Sequence, residues 1–178
     1  MKNGSYSRLV NSAAAESAGM IARKYGDDKK SRELASIELL PSLSSAEAEV
    51  ILTSKMPSWV LDLGLLVEKC SEHKVILRLP WSNRLAREGE IISGAVMMTA
   101  ADTAAVVAIS AACKGYIPMA TIQQSTSFKR PVGGEDLLVE AVVGKLGHRI
   151  AFVDIVLISS EASKIAATVS SVFSLRGR

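Results

Sequence analysis

Hydrophobic positions along this chain change their spacing several times, and each change marks an element. Ser44-Ser45-Ala46-Glu47 places a hydroxyl three residues before an acid, the form of a capping box, and predicts a short helix through about Lys55 that Pro57 ends. Two alternating runs follow, residues 63–70 and 74–79, joined by the polar Ser71-Glu72-His73. Val75, Leu77 and Leu79 fall on one face and Ile76 and Arg78 on the other, so the pair reads as a hairpin. Residues 80–89 read as a loop. From Ile91 to Ile109 the chain is apolar at almost every position, opened by Ser93 as an N-cap and closed by Lys114-Gly115, a cation followed by a C-cap glycine. That predicts a helix of about twenty residues, slim because of its alanines and apolar nearly all round, which belongs at the centre of a structure. Four strand-like runs complete the chain, at residues 121–128, 137–145, 150–159 and 166–175. Pro131-Val132-Gly133-Gly134, Gly147-His148 and the polar stretch 160–164 separate them, and such short connections imply antiparallel pairing. The expected class is α+β, with a long central helix wrapped by an antiparallel sheet of five to six strands.

The patterning weakens before Pro41. A Gly/Ser start, a faint helical spacing (Leu9, Val10, Ala13, Ala14, Ala18, Ile21) and a charged run over residues 23–33 make residues 1–43 an N-terminal extension, partly disordered or helical, ahead of a domain at 44–178. Its first 25 residues carry Arg8, Arg23 and Lys24 against Glu16 and weakly resemble an organellar transit peptide. A loosely ordered extension on a cytoplasmic protein is the expectation.

Composition narrows the function by exclusion. A net charge of +3 over 178 residues and 4% aromatics give neither a basic stripe nor a base-stacking platform, so no nucleic acid is expected as partner. Ser93, Thr99, Asp102, Thr103 and Ser110 interrupt the most apolar segment, so no membrane span is expected. Cys70 and Cys113 are far apart and have no histidine at ligand spacing. They read as reduced core thiols, with no disulfide framework and no metal site.

Asp102 stands out. It is the one acidic residue between Glu90 and Glu135, and it lies inside the apolar helix. Burying an unpaired carboxylate costs several kcal/mol or raises its pKa, so the chain needs a partner or a use for this group.

Several motifs in order now carry a resemblance: Ile92-Ser93-Gly94-Ala95 at the helix entry, Ala101-Asp102-Thr103-Ala104 within it, Phe128-Lys129-Arg130-Pro131 at a strand end, Gly134-Glu135-Asp136-Leu137, the Gly147-His148-Arg149-Ile150-Ala151 hairpin and the closing strand at 164–175. Residues 44–178 resemble the PaaI-like branch of hotdog-fold acyl-CoA thioesterases, in the 4-hydroxybenzoyl-CoA thioesterase superfamily. The resemblance implies a hotdog fold and hydrolysis of the thioester bond of an acyl-CoA, which is substrate, with no cofactor. It implies Asp102 as general base or nucleophile, the Gly94 backbone N–H polarising the carbonyl, and a water-orienting hydroxyl near Thr121. The chain departs from the branch in carrying Ser93-Gly94-Ala95 where many relatives have His-Gly-Gly, and Arg87 about where an asparagine is common.

Elementary geometry reaches a similar site. Gly94 at a helix N-terminus offers free N–H groups to developing negative charge and lets a carbonyl approach closely. Asp102 follows eight residues later, about 12 Å along one helix, too far for both to touch one carbonyl. The resemblance implies a hotdog dimer, or a dimer of dimers, whose two central helices run antiparallel, and that arrangement solves this by facing Gly94 of one subunit with Asp102 of the other. Thr99, Thr103 or Thr121 is expected to hold the anion. Ser93, Ala95 and Thr103 join the site, and Lys129, Arg130, His148 and Arg149 are the cations expected nearest it, for the phosphates of CoA. Trp59, Trp81, Met97 and Met98 are candidates for the acyl pocket, although such residues more often serve the core. The missing histidine keeps open a non-catalytic acyl-CoA-binding or regulatory module. Hydratase chemistry is disfavoured, because His73 and His148 both fall in turns.

Overall fold

The computed structural model describes residues 43–176, so the expectations for the N-terminal extension, apart from Leu43, lie outside the described residues. Helix α1 (Ser45–Lys55) opens with the expected box: Ser44 Oγ accepts from the Glu47 N–H at 3.2 Å, and Glu47 Oε2 accepts from the Ser44 N–H at 2.8 Å. After a single-turn helix α2 (Ser58–Leu61) come β1 (Leu66–Cys70) and β2 (Lys74–Leu79), an antiparallel hairpin. Its first strand starts three residues later than the alternation suggests, because α2 takes up the chain before it. The stretch expected to be a loop contains a small ribbon, β3 (Ala86–Arg87) paired with β4 (Ile91–Ile92). Two residues per strand are too few to show an alternation.

Helix α3 (Gly94–Ala112) is the central element. It ends in a Schellman arrangement, but the left-handed residue is Lys114 (φ 58°) rather than the glycine expected there. The Lys114 N–H donates to the Ala111 carbonyl at 3.0 Å and the Gly115 N–H to the Ser110 carbonyl at 2.9 Å, one position further on. By length and hydropathy α3 is long enough to cross a bilayer, yet from Thr103 to Ala112 every residue is buried within the domain.

Strands β5 (Met119–Phe128), β6 (Leu137–Leu146), β7 (Ile150–Ser159) and β8 (Ile165–Leu175) join the first hairpin in one six-stranded antiparallel sheet of order β1-β2-β6-β7-β8-β5. The inward positions repeat every second residue, as a pleated sheet demands: Val75, Leu77 and Leu79 on β2, Val153, Ile155 and Leu157 on β7. Facing them are Ala100, Ala101, Ala104, Ala105 and Ala108 of α3, whose short side chains let the sheet curl close around the helix. This is the hotdog architecture. The closing strand β8 lies between β7 and β5, which leaves β5 at a sheet edge beside the N-terminal half of α3.

Candidate active site

The site begins with what α3 leaves unsatisfied. Ser93 occupies the N-cap position, but its hydroxyl makes no capping bond, in contrast to the expectation. Its backbone N–H donates to the Leu85 carbonyl at 2.9 Å, and its carbonyl accepts from Met97 at 3.1 Å. Among the described residues the N–H groups of Gly94, Ala95 and Val96 find no acceptor. Three donors at the positive end of a nineteen-residue helix thus face outward.

The entry to this helix end is fixed from two sides. The Ile92 N–H donates to the Val132 carbonyl at 2.8 Å, and Ile91 bridges to Gly133. A Cβ on Gly133 would overlap the Glu90 carbonyl oxygen, so only glycine permits this approach. The signature carboxylates nearby are structural. Asp136 accepts from the Trp81 N–H and from Arg78 Nη1, each at 2.8 Å, and Arg78 also pairs with Glu68. Glu135 accepts from the Glu161 and Ala162 N–H groups at 2.7 and 3.2 Å and so ties down the β7–β8 turn.

A pocket of about 520 Å³ opens beside Gly94. Its walls come from Ile91, Ile92, Met97, Phe128 and Pro131, and Arg87, Lys129 and Arg130 supply its charge. The Phe128 ring lies over Gly94, where an added Cβ would meet its Cζ at 3.1 Å. Met97 therefore joins the pocket as expected, whereas Met98 and Trp59 are exposed and Trp81 bonds the Glu90 carbonyl through Nε1.

Asp102 lies two turns along α3, partly buried against β5. Its Oδ1 accepts from Thr121 Oγ1 at 2.8 Å. Burial pushes its carboxyl pKa above the ordinary value, and the Thr121 bond offsets this only in part. The other two candidate hydroxyls turn to the helix backbone: Thr99 donates to the Ala95 carbonyl and Thr103 to the Thr99 carbonyl, each at 2.9 Å. Thr103, expected against the substrate, is buried at 2% exposure. Between Thr121 and Phe128 the helix-facing side of β5 adds Gln124, which donates to the Met98 carbonyl at 3.1 Å and accepts from Ser171. Next to it, Thr126 Oγ1 is buried without a hydrogen-bond partner.

The four expected cations separate. Lys129 and Arg130 adjoin Gly94. His148 and Arg149 lie at the other end of the sheet, where the Leu175 N–H donates to the Arg149 carbonyl at 2.8 Å. Phe128 pairs with Ala167 and Met119 with Leu175, so the two ends lie about 26 Å apart along β8. Sequence spacing had grouped these cations because both pairs follow strands, and the sheet's antiparallel course sends them to opposite ends of its strands. Sequence reasoning overlooked the pocket role of Arg87 and Phe128 and the contacts of Gln124. The aromatic-x-x-Pro motif at Phe128 and the place of Arg87, where an asparagine is common in the resembling branch, were the available signals, and neither showed that the two residues meet beside Gly94. Among the described residues no group of three or more His, Cys, Asp or Glu side chains gathers where a metal could bind.

Comparison with known proteins agrees with this layout. Residues 89–166 match the model of the thioesterase superfamily, a span running from the ribbon through α3 into β8. A Thermoplasma acidophilum protein described as a candidate esterase is 23% identical over 122 residues, 68% of this chain and 91% of that protein. Zebra fish thioesterase superfamily member 2 superposes with a TM-score of 0.68 at 22% identity, covering 75% of this chain and 99% of that one. The PaaI protein of the E. coli phenylacetic acid degradation operon superposes at 0.65 with 17% identity, covering 76% and 97%. At such identities the structural likeness carries the fold. The family match spans less than half of the chain, so residues 89–166 are similar to the thioesterase superfamily and the domain shares the hotdog architecture of these solved structures.

Proposed function

We propose that the protein hydrolyses the thioester bond of an acyl-CoA, in a site shared between two copies of the chain. The observation that carries this reading is the Asp102–Thr121 pair. A half-buried carboxylate with a raised pKa, held by one hydroxyl, has the environment of a general base. The substrate carbonyl sits at the free N–H of Gly94, and Asp102 removes a proton from water as its oxygen attacks the carbonyl carbon. The resulting oxyanion is stabilised by the Gly94 N–H, a donor of the kind that contributes about 3–4 kcal/mol. Collapse breaks the C–S bond, the thiolate of CoA leaves, and the proton held by Asp102 returns to it. If Asp102 attacks the carbonyl itself, the same residue forms an acyl anhydride that water opens. The cations beside Gly94 suit the phosphates of CoA, and no cofactor is required.

The reading needs a dimer because Gly94 and Asp102 of one helix are about 12 Å apart. Strand β5 supports such a partner. It is an edge strand of ten residues with neither charge nor proline, and it exposes Ile122 and Phe128 with Met98 beside it. Antiparallel pairing of β5 with its copy sets each Gly94 toward the other chain's Asp102. It also carries the partner's His148–Arg149 turn toward the Lys129 end of the site.

The test is release of free thiol from a panel of acyl-CoA esters by wild type and by Asp102→Asn. The expected loss in the variant is roughly 10²–10⁴-fold. Tight binding of CoA esters without turnover in the wild type would instead establish a binding module, the reading favoured by Ser93 standing where relatives carry histidine.

A further inference from the structure

Arg87 and Lys129 line the pocket beside Gly94, and neither side chain has an ion-pair or hydrogen-bond partner among the described residues. Arg130 differs from them in donating through Nη1 to the Ile165 carbonyl at 2.9 Å, which pins it to the sheet. Among the described residues no acidic side chain lines the pocket, and its floor includes Ile92 and Met97, each 2% exposed. Two exposed cations on the rim of an open cleft with an apolar floor give it a positive potential. Arg87 is also held in place. Its backbone pairs with Ile91 in the β3–β4 ribbon, and that ribbon is the segment locked to Gly133 one residue before the helix entry begins. Its backbone is therefore carried at a fixed offset from Gly94, and its side chain lines the same pocket. A guanidinium is a planar fork of donors that matches the two oxygens of a carboxylate or phosphate.

We propose that Arg87, assisted by Lys129, is an anion clamp that selects the ligand of this pocket through an anionic oxygen group. This rests on the thioesterase reading for the identity of the ligand, though not for its charge. The group is either a phosphate of the CoA carrier or a carboxylate at the far end of the acyl chain, and both meet the fork in the same way.

Two ratios of kcat/KM separate these sources in wild type, Arg87→Ala and Arg87→Lys. The first compares butyryl-CoA with butyryl-pantetheine, which lacks the phosphates and the adenosine that carries them. The second compares glutaryl- with butyryl-N-acetylcysteamine, which differ in the distal carboxylate. Loss of a charged hydrogen-bonding partner is expected to lower one ratio about 10- to 100-fold in Arg87→Ala, with partial recovery in Arg87→Lys. A fall in the first ratio assigns the clamp to CoA phosphate, and a fall in the second assigns it to an acyl carboxylate. Both ratios staying within twofold of wild type in Arg87→Ala would overturn the proposal. If the wild type hydrolyses none of these esters, the thioesterase reading fails by itself. The same pairs are then titrated calorimetrically, with CoA against pantetheine added, and an affinity unchanged by Arg87→Ala in every pair overturns the clamp.

Discussion

At the scale of single residues, Asp102 combines two opposing influences, and each can be removed alone. Because the folded chain holds the Asp102 proton more tightly than the unfolded chain does, this group supports folding at low pH. It opposes folding as pH rises from the ordinary value near 3.8 through the raised folded value. Asp102→Asn keeps an acceptor for Thr121 and removes the charge. Its melting temperature is expected to exceed that of the wild type at pH 7, with the difference shrinking toward zero below pH 3.8, as differential scanning calorimetry at both pH values would register. Thr121→Val removes the bond that pulls the pKa down. The acid limb of its kcat/KM profile is expected to move to higher pH, with activity at the plateau falling roughly tenfold or more. An acid limb at the wild-type position in this variant would mean that the rate follows another group.

At the scale of elements, the central helix is positioned by a ribbon of four paired residues and by one glycine. Gly133 allows the Glu90–Ile91 backbone to lie against it, and any Cβ there meets a backbone oxygen that cannot rotate away. Gly133→Ala is expected to lose about 1–3 kcal/mol of stability in urea unfolding, the usual range for overpacking. Its activity should fall further than that loss accounts for, since displacing the ribbon moves the Gly94 N–H. The capping box of α1 and the alternation of β2 were legible in the sequence because both are local: a hydroxyl reaches three residues along a helix, and side chains alternate along a strand. The ribbon was not legible because two residues per strand show no alternation, and the Gly133 approach was not because it joins segments some forty residues apart.

At the scale of the whole molecule, the proposed sharing of the site between two copies makes a quantitative claim. A Gly94→Val chain lacks a usable carbonyl site, because the new side chain runs into Phe128, while its Asp102 is intact. An Asp102→Asn chain has the opposite defect. Mixing equal amounts of the two inactive variants under subunit exchange gives half heterodimers, each with one doubly defective and one wild-type site, so about a quarter of wild-type activity returns. Recovery near zero, with exchange verified by mass spectrometry, would place Gly94 and Asp102 in one subunit's site after all.

What the sequence determined by itself was the inventory: one carboxylate in an apolar helix, a glycine at that helix's start, and enough alternating strand to wrap it. These follow from periodicity and from the cost of burying charge, both properties of short stretches. Tertiary structure decided which groups meet. It chose Thr121 over Thr99 and Thr103 as the partner of Asp102, because the latter two satisfy themselves on the helix backbone. It sent His148 and Arg149 away from Lys129 and Arg130, and it brought Arg87 to Gly94. The physical reason is that a sheet orders its strands by hydrogen bonding and packing rather than by position in the chain. Here that placed β5 at the edge, seven residues of strand separating the Asp102 end from the Gly94 end.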